Sequence, residues 1–188
     1  VYTGKDPSVA RVANQFAEDY ELMFGRRMQV VQGRAAAGDF VFSLSSDSRL
    51  GEEGYTMKIT DRVTVTAPKS KGLYWATRTL LQLIEQQGNQ ALPKGAARDY
   101  PDYAIRGFMM DCGRKFIPMS MLRDYVKMMA YYKMNTFQIH LNDNAFKQYY
   151  NHDWNKTYSA FRLECETFPG LTARDGYYTK KEFIALQQ

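Results

Sequence analysis

Two short apolar runs, residues 103–110 and 136–141, mark the second half of the chain, with an amphipathic segment between them and another after them. Short apolar runs without alternation are typical of strands covered on both faces, as in parallel sheets. Between them, Ile117-Pro118-Met119-Ser120 opens a segment with Leu122, Tyr125, Val126, Met129 and Tyr132 at helical spacing, which predicts a helix through Tyr132. The last segment begins at Thr179 with Glu182 three residues on, a capping box. Strand, helix, strand, helix is the order of parallel β/α units, and two strands cannot close a barrel. Residues 98–188 are therefore expected to be the first two β/α units of a (β/α)8 barrel, truncated in this chain. Its open apolar faces would favour self-association.

The first half follows a different pattern. Asp6-Pro7 is a helix start, and Val9, Val12, Ala13, Phe16, Ala17, Tyr20 and Met23 recur at helical spacing up to Gly25. Residues 28–32 and 39–45 read as strands, the second with Phe40, Phe42 and Leu44 on one face. Residues 55–59 and 63–67 alternate around an Asp61-Arg62 turn, which predicts a β-hairpin. A second helix carries Leu73, Ala76, Thr77, Leu80, Leu81 and Ile84 inward and closes at Gly88. Residues 89–101 contain Pro93, Gly95 and Pro101 without periodicity and read as a linker. Residues 1–97 are thus expected to form an α+β domain, an antiparallel sheet with two helices.

Composition narrows the class of partner. The 188 residues are 45% hydrophobic and 24% charged, an ordinary globular balance. The net charge of +5 comes from 25 basic and 20 acidic residues that are interspersed, which argues against a nucleic-acid partner. Cys112 and Cys165 are too few for a disulfide framework, and no residues have metal-ligand spacing, so neither metal nor cofactor is expected. No apolar run is long enough to predict a membrane span. The opening Val-Tyr-Thr has no signal-peptide pattern and suggests a trimmed chain, in which an export signal would not be visible. The 14% aromatic content fits either core packing or a carbohydrate-stacking surface.

In a β/α barrel, chemistry gathers at the carboxyl ends of the strands. Here the two apolar runs lead into Asp111-Cys112-Gly113-Arg114-Lys115-Phe116 and His140-Leu141-Asn142-Asp143-Asn144. The forked guanidinium of Arg114 can bind two sugar hydroxyls or a carboxylate, or can pair with Asp111 or Asp143. Asp143 can accept from hydroxyls, orient a neighbour, or cap a turn. A histidine placed like His140, inside a strand, is more often a satisfied core residue than a catalyst. No Gly-rich phosphate loop or nucleophile elbow is present.

These residues carry a family resemblance. The run from Arg106 to Phe116 resembles the first barrel strand of the glycoside hydrolase family 20 β-N-acetylhexosaminidases, which an Arg-Gly opens and an Asp-x-x-Arg-His-Phe closes. The run from Met128 to Asn135 resembles the family's Met-Ala-x-Tyr-Lys-x-Asn helix end, and Gln138 to Asp143 its His-x-His-Leu-x-Asp strand. Phe168 to Thr172, Gly176 to Thr179, the hairpin, and Gly72 to Ile84 resemble further family segments, so the likeness covers nearly the whole chain.

The resemblance implies an exo-acting enzyme that removes terminal β-linked N-acetylglucosamine or N-acetylgalactosamine from glycans by substrate-assisted, retaining catalysis. A Glu protonates the leaving oxygen, and the adjacent Asp orients the acetamido group that attacks. Arg114 matches the arginine that grips hydroxyls of the terminal sugar, and Asp143 an acidic position at the pocket floor; His140 falls in the same motif. A periplasmic or secreted location is implied as well. The Asp-Glu pair does not occur in these 188 residues, so none of them is expected to be catalytic and the chain alone is expected to be inactive.

Lys115, Asn144 and Gln138 depart from the family pattern, where His, Asp and His are usual. These departures keep open a catalytically dead glycan-binding or scaffolding relative. The loop from Asn144 to Phe161 is longer than usual and bears Phe146, Tyr149, Tyr150, Trp154 and Tyr158. Trp154 in particular would stack on a sugar beyond the scissile bond, or the loop would fold back on its own aromatics.

Overall fold

In the computed structural model, residues 5–88, 90–153 and 159–188 are described, and the chain divides into two units after Ala104. The first unit opens with helix α1 (Pro7–Phe24). Asp6 accepts from the Ser8 amide at 2.8 Å, Pro7 occupies the first turn, and Gly25 ends the helix at φ 67°. Strands β1 (Phe40–Leu44), β2 (Tyr55–Ile59), β3 (Val63–Ala67) and β4 (Gly95–Asp99) form one sheet in the order β1-β3-β2-β4. The β1–β3 pair is parallel; the other pairs are antiparallel. Helix α2 (Ser70–Gln87) follows β3. Val9, Phe16, Phe42, Met57, Val65, Leu73, Leu80 and Leu81 meet in a single core, so the apolar faces of both helices are buried with the inner face of the sheet.

Three expectations for this unit change. Residues 28–32 form no ladder strand; Gln32 alone makes a bridge, while Met28 and Val30 pack on the core. The sheet is mixed rather than antiparallel throughout, because β1 joins β3 in parallel by a crossover rather than by a hairpin. The stretch read as a linker contains β4, so the sheet continues to Asp99 and the division falls at 104/105 rather than 97/98. As an edge strand of Gly95, Ala96 and Ala97 followed by Arg98 and Asp99, β4 has no apolar alternation to read. It is tied in by Tyr55, whose hydroxyl lies 2.7 Å from both Asp99 and Thr79.

The second unit has the expected β/α order. Strand β5 (Gly107–Asp111) pairs in parallel with β6 (Thr136–His140), and helix α3 (Met119–Tyr131) crosses between them. The return from α3 to β6 is pinned to the start of β5. Arg106 Nε donates to the Lys133 carbonyl at 2.7 Å, and the Arg106 amide donates to Asn135 Oδ1 at 2.9 Å. Helix α4 (Lys180–Gln187) begins with the expected capping box. Two short strands, β7 (Asn142–Asn144) and β8 (Ser159–Phe161), pair within the stretch read as a loop.

The strands are not covered on both faces. Phe108 stacks on Tyr125 of α3 and on Phe137, and Met110, Phe137 and Ile139 join a core with Leu122 and Tyr178. On the opposite face, Met109 and its register partner Gln138 are exposed. Tyr132, expected inward, is exposed because the helix stops at Tyr131 and the chain turns at Lys133, φ 58°.

The first unit offers a direct test of packing. A Cβ on Gly72 would lie 2.2 Å from the Gly54 carbonyl oxygen, a backbone atom that cannot swing away. Gly72→Ala is expected to destabilise this unit by about 1–3 kcal/mol, the usual range for overpacking, in urea titrations followed by circular dichroism.

Candidate sugar-binding site

Aligned ends of β5 and β6 create the site. Their register places Asp111 opposite His140, both on the face that carries Met109 and Gln138. The chain then turns sharply after β5, because the His140 carbonyl accepts from the amides of Cys112 at 3.0 Å and Gly113 at 2.9 Å. Gly113 is required by close approach: a Cβ there would stand 2.7 Å from the Asp143 nitrogen. Arg114 follows directly.

Arg114 lies between two carboxylates. Its Nη1 donates to Asp111 Oδ2 at 2.6 Å and its amide to Asp111 Oδ1 at 3.0 Å, while its Nη2 forms an ion pair with Asp143 Oδ2 at 2.8 Å. His140 Nε2 is 2.9 Å from Asp143 Oδ2, and the Asn144 amide donates to Asp143 Oδ1 at 2.7 Å. The expected ion pairs form with both Asp111 and Asp143. Arg114 is ion-paired, and with 37% of its side chain accessible it is still open to a ligand. His140 is a partly exposed member of the cluster, not an interior core residue. Asp143 caps no turn; it is the middle residue of β7, accepts from the Asn144 amide and pairs with Arg114. The Phe146 ring centroid lies 5.3 Å from the Arg114 guanidinium, and Tyr149 meets Phe146 edge-to-face. Trp154 and Tyr158 lie outside the described residues.

The charges reinforce one another. The hydrogen bond with His140, the Asn144 amide and the Arg114 charge hold the Asp143 carboxyl below its ordinary value. For Asp111, burial pushes the carboxyl up, but the hydrogen bonds and charge of Arg114 outweigh it and the net shift is down. Both carboxylates keep Arg114 protonated, with the Asp111 hydrogen bond foremost. The result is a fixed fork of donors flanked by acceptors, which suits a ligand with vicinal hydroxyls. Among the described residues, no group of three or more His, Cys, Asp or Glu is placed to hold a metal ion, and no helix is long and apolar enough to cross a membrane.

A second polar centre, beneath the first, is absent from the sequence reading. Arg162 is 1% exposed, and its guanidinium donates to the carbonyls of Cys112, Gly113 and Gly176 and forks onto Asp175 at 2.5 and 3.2 Å. Phe116 lies 5.8 Å from the Arg162 guanidinium and packs against Gly176, where φ is 143° and a Cβ would overlap the ring. Tyr178 is fully buried and donates to the Ile117 carbonyl at 2.6 Å. No local periodicity links positions 112, 162 and 175, so only an arginine within an aromatic stretch could have hinted at this centre.

Comparison with known proteins supplies the family. The profile of "Glycosyl hydrolase family 20, domain 2" matches residues 2–100, and that of the "Glycosyl hydrolase family 20, catalytic domain" matches residues 103–187. The chain belongs to glycosyl hydrolase family 20. Curated relatives include a β-hexosaminidase of Akkermansia muciniphila, 34% identical over 140 residues, covering 73% of this chain and 28% of the relative. A β-N-acetylhexosaminidase of Cellulomonas fimi is 31% identical over 142 residues, covering 73% and 29%. Among solved structures, a mutant Streptomyces plicatus β-hexosaminidase in complex with product (GlcNAc) aligns with TM-score 0.77 and 26% identity, over 98% of this chain and 38% of that one. This family 20 chain thus spans under a third of the length of these two curated relatives.

The carboxylates give the cluster a definite pH dependence. Both folded values lie below the ordinary 3.8, so the ion pairs contribute fully above that value and are lost as pH falls through the lower folded ones. In carboxyl-carbon NMR titrations, Asp111 and Asp143 are both expected to show midpoints below 3.8. Arg114→Ala is expected to raise the Asp111 midpoint more than that of Asp143, which retains its strongest partner, His140.

Proposed function

We propose that the complete polypeptide carrying this chain is an exo-acting β-N-acetylhexosaminidase that removes terminal β-linked N-acetylglucosamine or N-acetylgalactosamine from glycans. The observation that carries this reading is Arg114, held between Asp111 and Asp143 at the carboxyl ends of two adjacent parallel strands in a family 20 fold. Arg114 donates to hydroxyls of the terminal sugar, Asp143 accepts from them, and His140 orients Asp143. Curated relatives named as hexosaminidases, and a neighbour solved with GlcNAc as product, support that ligand class. Phe146, over the Arg114 guanidinium, offers an apolar face to the C–H surface of the same sugar; Trp154 belongs to the same loop.

Catalysis on this reading is substrate-assisted. The acetamido oxygen of the sugar attacks its own anomeric carbon, a Glu protonates the departing oxygen, and an adjacent Asp orients the acetamido group. A consecutive Asp-Glu pair does not occur in the 188 residues, so this chain binds the sugar but does not cleave the bond. Exposed Met109 and Gln138 are covered in the complete barrel; in the chain alone the open strand face, with Met109 as its apolar member, favours self-association. A periplasmic or secreted location suits an enzyme acting on glycans.

The test is hydrolysis of a chromogenic β-N-acetylglucosaminide. The complete polypeptide is expected to be active, the 188-residue chain inactive, and Arg114→Ala in the complete polypeptide to lose about a hundredfold or more in kcat/KM, as when a donor aimed at a substrate oxygen is removed. An inactive complete polypeptide that still binds glycans would favour the catalytically dead reading, for which Lys115, Asn144 and Gln138 speak.

A further inference from the structure

The pair of buried Arg162 and half-exposed Asp175 bonds to none of Asp111, Arg114, His140 or Asp143, yet Arg162 meets the backbone immediately before Arg114. Arg162 Nε donates to the Cys112 carbonyl at 2.8 Å and Nη2 to the Gly113 carbonyl at 3.1 Å. The other end of each of these peptide units is also held. The Gly113 amide donates to the His140 carbonyl at 2.9 Å, and the Arg114 amide to Asp111 Oδ1 at 3.0 Å. Two consecutive peptide planes, 112–113 and 113–114, are therefore fastened at both ends. Neither can rotate without breaking one bond to Arg162 and one to the strand ends, and the second plane sets the direction in which the Arg114 side chain leaves the backbone.

We propose that Arg162 and Asp175 are positioning residues for Arg114, fixing the loop after β5 so that its guanidinium meets the hydroxyls of the bound sugar. This rests on the hexosaminidase reading above for the ligand, but not for the clamp. The pair has the chemistry for the task. One planar guanidinium serves three carbonyls and a carboxylate at once, which the compact ammonium of lysine cannot reproduce. Asp175 neutralises a cation that is otherwise sealed from water, and its own side chain is 55% accessible, so it can be altered without opening the core. The clamp side chains bond to none of Asp111, Arg114, His140 or Asp143, so changing the pair reaches the site through the 112–114 backbone that carries Arg114.

Arg162→Lys and the milder Asp175→Ala, made in the complete polypeptide, test this with two readouts. The first is amide hydrogen exchange, which does not depend on activity. Both variants are expected to speed exchange at residues 112–116 while leaving α3 and β6 as in the wild type; unchanged exchange at 112–116, or faster exchange throughout the second unit, would overturn the proposal. The second is kcat/KM on the chromogenic substrate, alone and combined with Arg114→Ala. Misplacing a binding group by about 1 Å costs up to about a hundredfold, and a loss approaching that size is expected for Arg162→Lys, with a smaller one for Asp175→Ala. In the Arg114→Ala background neither is expected to cause a further loss, because no guanidinium remains to be positioned. Losses that multiply in that background would show general damage and overturn the proposal. A wild type without activity whose variants still loosen only 112–116 would sink the hexosaminidase reading and leave the clamp standing.

Discussion

The carbonyl oxygen of His140 accepts two hydrogen bonds from the opposite strand end, at Cys112 and Gly113, and the second unit is organised around that junction. It requires β5 and β6 to be parallel and in a register that places Asp111 beside His140. That register depends in turn on Arg106, which ties the start of β5 to the turn leaving α3. It also requires glycine at 113, because the two loops pass within van der Waals contact. With these conditions met, Arg114 lies between Asp111 and Asp143.

Charge burial then divides the work between two arginines. Arg114 is partly exposed, flanked by carboxylates that oxygen-rich ligands can share. Arg162 is sealed, and its guanidinium hydrogen bonds run to backbone carbonyls and Asp175. A buried guanidinium is costly unless its donors are matched, and here the matching partners are the carbonyls that lead to Arg114. Stability of the loop and aim of the site are thus aspects of one arrangement.

Most of the regular structure was legible because it is encoded locally. The Asp6-Pro7 start, the Asp61-Arg62 hairpin and the Thr179–Glu182 capping box each lie within a few residues, and all are present. Arg114, Asp143 and His140 were legible through strand-end placement and motif, and the structure brings all three together. What escaped is non-local. Strand β4 opens with small exposed residues and is held by its ladder and by the Tyr55–Asp99 hydrogen bond from 44 residues away, and the Arg162 clamp joins positions 50 and 13 residues apart. The apolar runs of β5 and β6 fit strands covered twice, whereas Met109 shows one face open, so in this chain hydrophobicity overstated burial.

The central claim is that Arg114 grips the hydroxyls of a terminal N-acetylhexosamine. The most direct measurement is a crystal structure of the complete polypeptide soaked with N-acetylglucosamine. The account predicts the sugar at the ends of β5 and β6, with two of its hydroxyls within about 3 Å of the Arg114 guanidinium nitrogens and one near Asp143. A sugar bound elsewhere, with Arg114 still closed onto Asp111 and Asp143, would contradict it.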